Sequence, residues 1–322
     1  MKTIESNPPK QEHIQKKISL TKLKKWLLGT NSDMGLLMKV VSYALLISVG
    51  FIFLYPVIYM ISYAFKDLGD LLNSSVNWIP TQFYTENITR AYDVLDYIPT
   101  LLQTIFVAVL PSVLQMLTAA VVGYGFARYD FKGKKLLLVL VMSTFVIPPQ
   151  ITVIPRYILF NQLGLLGSIA AYAIPAGLGQ GINSAIFILI FYQTYRTIPM
   201  SLIEAARLDG AGEFKIFTKI GVPISASAFI ISFLFSLVWY WNETYLASIY
   251  FGGMLTTLPL ELQRFVAAYN NMFPGGAGGG TGINEAIELA ATLLSIIPLL
   301  LIYFVSQKWF VESIDRSGIT GE

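Results

Sequence analysis

The hydrophobic and polar positions of this chain separate into long blocks rather than alternating. Residues 40–65, 101–127, 136–155, 157–195, 220–242 and 289–307 contain no Asp, Glu, Lys or Arg. Each window holds at least 19 residues, and about 20 apolar residues span a hydrocarbon core of ~30 Å. The pattern predicts helices over 38–65, 100–127, 135–159, 166–192, 223–249 and 286–307. The 39-residue window is too long for one span, and Asn161–Gly167 supplies its break. The fold class is therefore all-α: a polytopic membrane protein with six transmembrane helices.

Charge sets the expected orientation. Of 22 Lys and Arg, 18 fall in 1–39, 128–135, 192–222 and beyond 307, and four fall elsewhere. Basic residues favour the inner side, so both termini are expected in the cytoplasm of a cell membrane protein. A cleaved signal peptide would need an apolar core of about 7–15 residues, shorter than this first window. The domain reading is a basic tail over 1–37 and a transmembrane domain over 38–322. In the tail Leu20, Leu23 and Leu27 recur at helical spacing among lysines. That suits an interfacial helix on anionic headgroups, with a solvated basic tail as the alternative.

Composition removes several chemistries. With no Cys and one His, His13, thiol catalysis, Cys- or multi-His metal sites and intramembrane His relays are excluded. No catalytic residue and no metal ligand is assigned, and the basic balance is explained by the inner loops, not by nucleic acid. No G-x-x-x-x-G-K-[ST] run is present, so no nucleotide cofactor is expected on this chain.

The inner loop 196–223 carries the strongest pattern. Ser201 and Glu204 have capping-box spacing after Pro199, Ala205 and Ala206 favour helix, and Gly210 can take the positive φ that ends one. A second short helix is expected with Phe214, Phe217, Ile220 and Gly221 on its apolar side, before Pro223 opens the next span. The plainer reading is a loop on the membrane, with Glu204 capping and pairing with Arg207.

Glu204-Ala205-Ala206, three residues, Gly210, nine residues and Ile220-Gly221-Val222-Pro223 resemble the EAA loop of ABC importer permeases. Tyr124-Gly125-Phe126-Ala127-Arg128, Ile147-Pro148-Pro149-Gln150, Leu163-Gly164-Leu165 and Trp241-Asn242-Glu243 are similar to the maltose/oligosaccharide type of that family. So are Leu258-Pro259-Leu260 and Gln307-Lys308-Trp309-Phe310-Val311. The resemblance implies that Glu204, Ala205, Ala206, Asp209, Gly210, Ile220 and Pro223 couple the chain to a separate ATPase. It further implies a second permease subunit, paired ATPase subunits that hold ATP and Mg, and an extracytoplasmic solute-binding protein delivering carbohydrate. The glycine-rich stretch within loop 250–285 and the tail after Ser313 depart from the maltose type and leave the sugar open.

Neutral polar and aromatic residues inside the spans mark an expected substrate path: Tyr59, Gln115, Gln180, Asn183, Trp239 and Asn242. Amides beside aromatic faces suit sugars. Interhelical glue and interfacial belts use the same residue types. An ion-coupled secondary transporter, a permease for a non-sugar solute and a membrane-embedded enzyme are the competing classes. The first usually keeps mid-span ionisable residues, and the last needs a catalytic group; the spans' central stretches offer neither.

Overall fold

The computed structural model describes residues 26–27, 35–274 and 282–318, and side chains as far as 308. The expected tail helix around Leu20 and Leu23, His13, most of the glycine-rich stretch and the end of the tail lie outside the described residues. Two compact units divide the chain at 62/63.

In the first unit runs α1 (Leu36–Ala64), which ends just past the boundary. Its surface is open along most of its length: Leu45, Leu46, Ile47 and Phe53 are exposed.

Among its described residues the second unit contains helices and connecting turns and no strand. In chain order it contains α2 (Leu68–Leu72), α3 (Glu86–Val94), α4 (Tyr97–Arg128), α5 (Lys134–Val146) and α6 (Pro149–Gln162). There follow α7 (Ala170–Gly177), α8 (Ser184–Thr197), α9 (Met200–Leu208), α10 (Glu213–Ile216) and α11 (Val222–Ile224), the last two joined by a π turn at Phe217–Gly221. Then come α12 (Ala226–Asn242), α13 (Tyr245–Phe251), α14 (Leu258–Met272) and α15 (Glu285–Gly318).

Three helices are single apolar spans, α1, α4 and the 285–308 part of α15. They match the expected windows within a few residues. The remaining expected spans are broken, and this corrects the sequence reading. The third bends by 99° between α5 and α6, because Pro148 and Pro149 bar helical backbone just before them. The fourth is interrupted over 178–183, so Gln180 and Asn183 do not share a helix face; Gly179 and Asn183 have positive φ. The fifth starts at Ala226 after a 75° bend, so Pro223 opens a one-turn segment and not the span.

Non-helical backbone is tolerated at membrane depth only where protein or a water-filled cavity satisfies it. Here α4 and α12 do so. Gln115 donates from Nε2 to the Ile182 carbonyl at 2.7 Å, and Thr118 donates to the Gly177 carbonyl at 2.9 Å. Tyr240 accepts from the Ile182 N–H at 3.2 Å and donates to Gln115 Oε1 at 3.0 Å. Gly181 lies so close beneath them that a Cβ would stand 2.0 Å from Gln115 Oε1.

Packing falls into two clusters. One joins α3, α7, the upper part of α4, α12 to α15 and the Tyr172, Tyr250 and Trp241 rings. The other joins the last turns of α4 to α8 and the start of α12 through Tyr124, Phe187, Phe191 and Tyr195. At Gly123 α4 meets α8 at backbone distance; an added Cβ would lie 2.6 Å from Phe191 Cβ. That contact holds the stem from which α9 projects.

Candidate coupling corner and membrane cleft

Helix α8 ends at Thr197, and Pro199 stands at the N-cap of α9. The capping box is not formed, since Ser201 lies inside α9 and no side chain caps its start. At the other end the expectation for Gly210 holds. Its φ is +79°; its N–H bonds to the Arg207 carbonyl at 3.0 Å, and Ala211 N–H to the Ala206 carbonyl at 2.9 Å. Those two bonds constitute a Schellman motif, which stops α9 and turns the chain sharply.

The turn is held by charge. Arg207 donates from Nε to Glu213 Oε1 at 2.9 Å, not to Glu204 as the sequence spacing suggested. Tyr129, just past α4, donates its hydroxyl to Glu213 Oε2 at 2.8 Å. Hydrogen bonds from Arg207 and then Tyr129 hold the Glu213 carboxyl below the usual carboxylate range. Burial, and then the bond to Glu213, push Tyr129 up to about 12. The stem is fixed by Arg128, whose guanidinium donates to the carbonyls of Tyr195 and Ile198, the latter at 2.9 Å. Tyr124 packs edge-on to both Tyr195 and Phe217 at 5.1 and 5.0 Å.

What remains outward is apolar. Leu208 is 89% exposed and Phe214 79%, so Phe214 leaves the inner face expected for it and the buried Ile216 takes that place beside the expected Phe217. Glu204, Ala205 and Asp209 are exposed, Ala206 and Ile220 half-buried, and Pro223 exposed. Ile203 anchors α9 inward at 2% exposure. The corner is therefore a rigid projection with small residues on one helix and two large apolar tips.

At the broken fourth span lies a cleft of about 330 Å³. Its polar lining includes Thr144, Thr152, Arg156, Gln180, Asn183, Ser184 and Glu243. Glu243 caps α13 by accepting from the Leu246 N–H at 2.8 Å, and the Ser184 hydroxyl is buried without a partner. The lining thus combines donors, an acceptor and groups able to do both.

Of the expected path residues, Gln180 and Asn183 line this cleft. Gln115 does not: it is fully buried, and both ends of its amide are committed to the break. Trp239 packs on Phe187 at 5.2 Å, and Asn242 is exposed and bonds only to Val238 of its own helix. Tyr59 belongs to the first unit, stacked on Tyr55 at 6.2 Å. Arg156, Glu213 and Tyr129 escaped the sequence reading. An acidic residue opening a short helix after Gly212 was the available signal for Glu213, because acids favour a helix N-terminus.

Three helices long and apolar enough to cross a membrane, and three bent helix pairs that meet the same measure together, define a multi-pass membrane component with a rigid projecting corner. The chain belongs to the family of binding-protein-dependent transport system inner membrane components, whose model matches residues 84–316. An osmoprotective compounds uptake permease protein of Synechocystis sp. is 30% identical over 297 residues, covering 90% of this chain and 95% of that protein. A polygalacturonan/rhamnogalacturonan transport system permease protein of Bacillus subtilis is 28% identical over 284 residues, covering 87% and 96%. In fold the chain is similar to a bacterial ABC transporter structure involved in import of the acidic polysaccharide alginate. The TM-score is 0.72 at 24% identity, over 87% of this chain and 98% of that one.

Proposed function

We propose that this chain is one transmembrane subunit of an ATP-driven importer of carbohydrate, with an oligosaccharide as the favoured cargo. The observation that carries the reading is the projection at Gly210. Leu208 and Phe214 stand exposed on a corner locked by a Schellman turn and by Glu213. Exposed apolar anchors with a polar rim fit a protein cleft, and the partner is a separate ATPase, which binds ATP and Mg and hydrolyses it. Glu204 and Asp209 supply charges for steering that contact, while Ala205 and Ala206 allow close approach.

The cleft beside Gln180 and Asn183 serves as part of the substrate path. Its donor and acceptor lining suits vicinal hydroxyls, and named relatives transport saccharides. A second permease closes the pathway, and an extracytoplasmic solute-binding protein delivers cargo at the end opposite the corner. The basic loops orient both termini and the corner toward the cytoplasm.

Mild-detergent purification of the tagged chain from its native membrane, with mass spectrometry of retained subunits, tests the assembly. Co-purification of a P-loop ATPase and a second permease is expected. Recovery of this chain alone, with Leu208→Asp and wild type behaving alike in uptake, would move the reading to a secondary transporter.

A further inference from the structure

The segment between α1 and α3 is neither a simple tether nor part of the cleft. Residues 71–85 carry no Asp, Glu, Lys or Arg. The three charges just before them are turned into the segment itself. Lys66, 1% exposed, donates to the carbonyls of Val76 and Asn77 at 2.9 and 2.8 Å. Asp70 accepts from the N–H and hydroxyl of Thr81 at 2.8 and 2.7 Å. Asp67 accepts from Gln82 at 3.2 Å, and Asn87 fixes the base by donating to the carbonyls of Ala64 and Lys66.

The result is an elbow with its charges spent internally and its large side chains outside. Leu72 is 79% exposed, Ile79 80% and Phe83 77%. The Asp70–Thr81 bonds bring the two limbs of the elbow together while all three of these side chains stay exposed. A water-facing loop would gain nothing from that arrangement.

Chain connectivity limits how far the elbow can lie from the end of α1. Helix α1 has 29 residues, about 44 Å at 1.5 Å per residue, which equals a bilayer including its headgroup layers. The elbow begins four residues after α1 ends, a reach of at most ~14 Å. Its composition, Trp and Phe among uncharged Asn, Ser and Gln, is that of the membrane interface.

We propose that residues 68–83 are an interfacial anchor whose Leu72, Ile79 and Phe83 side chains insert into the lipid headgroup and upper acyl layer. The elbow pins the end of α1 and the base of α3 to the bilayer surface while the spans rearrange. The inference rests on the membrane fold alone and does not require the importer assignment.

The chain has no cysteine, so single nitroxide labels can be placed without background. Leu72→Cys, Ile79→Cys and Phe83→Cys would be labelled separately, each at an exposed position, in the chain with co-purifying subunits whose own reactive cysteines have been replaced. Reconstitution would be in phosphatidylethanolamine–phosphatidylglycerol vesicles. Collision rates with oxygen, which partitions into lipid, and with a neutral nickel chelate, which stays in water, give the location. Phe53→Cys on α1 and Asp130→Cys, whose parent side chain is 98% exposed, are the lipid and water references. Oxygen-dominated relaxation several-fold above the Asp130 reference is expected at all three sites. Nickel-dominated relaxation would overturn the anchor. Suppression of both collisions in the assembled protein, but not in the isolated chain, would overturn it too and assign the surface to a protein partner.

Discussion

Arg207 and Glu213 face each other across a five-residue corner at 2.9 Å, and the Tyr129 hydroxyl closes on the other carboxylate oxygen at 2.8 Å. One acid therefore ties the end of α4, the last turn of α9 and the first turn of α10. The proposed coupling role needs a fixed angle, and three elements meeting on one carboxylate supply it. Glu213→Gln keeps shape and one acceptor but loses the charge. It is expected to insert normally and to lower transport per ATP hydrolysed several-fold. Unchanged coupling in proteoliposomes would show that the corner is held without the clamp.

The same group fixes a pH dependence. Glu213 is depressed in the folded chain by Arg207 first and Tyr129 second. A depressed carboxyl contributes stability that is present above its ordinary value of 4.5 and lost as pH falls through its lower folded value. Coupling is expected to be flat across neutral pH and to fall only in acid on the corner side. In Glu213→Gln that acid limb should vanish, which uptake measured with the corner-side pH varied in proteoliposomes will read.

Gly210 requires a positive φ, yet no atom lies within 4 Å of where its Cβ would stand. Substitution there strains backbone and not packing, at about 1–2 kcal/mol for an L-residue. Gly210→Val is expected to express and insert but to transport poorly, since branching resists that conformation. Gly210→Asn should retain most activity, because Asn tolerates the left-handed region. Equal loss in both variants would point to partner clash in place of turn geometry.

How much of this was legible depended on whether the signal was local. Charge-free windows located the crossings because transfer from water is a property of each segment alone. The Gly210 corner was legible because positive φ selects glycine. The break at 178–183 was hidden, since an apolar sequence looks alike whether helical or not. What permits it sits far away: Gln115 and Tyr240 on other helices hold the Ile182 peptide, whereas the break at 147–148 follows from the adjacent Pro148 and Pro149. For the same reason Gln115 reads from sequence as a substrate group and is a structural one in the fold. Glu204 and Arg207 show the converse error, a helical spacing rule defeated by Glu213 six residues beyond Arg207.

The break in the fourth span makes its own prediction. A Cβ at position 181 would lie 2.0 Å from Gln115 Oε1, 2.5 Å from the Tyr240 hydroxyl and 3.0 Å from Ala176 Cα. The two closest of these are side-chain ends bonded to each other and to the Ile182 peptide, so Gly181→Ala must break those bonds or displace the segment that walls the cleft. A loss of roughly 1–3 kcal/mol is expected from overpacking, seen as a lowered unfolding temperature in detergent. An unshifted transition would mean that α7 and α8 adjust freely, and the break would then be soft.

Arg156 is the sharpest test of the cleft as a route. It lies on α6 and lines the same cavity as Gln180, Asn183 and the unpartnered Ser184 hydroxyl. A guanidinium there offers several donors in a fixed fork, and a charged hydrogen bond is worth about 1.5–3 kcal/mol. Arg156→Gln is expected to cut maximal saccharide uptake about tenfold or more while leaving subunit assembly and basal ATP hydrolysis intact. Asn242→Ala is the matched control, because that amide is exposed and bonds only within its own helix. If Arg156→Gln transports like wild type, cargo does not pass this cleft. If both variants fail together, the fault lies in the end of α12 and not in recognition. A selective loss at Arg156 leaves a single account: the break in the fourth span exists to open a polar, charge-bearing step in an otherwise apolar bundle.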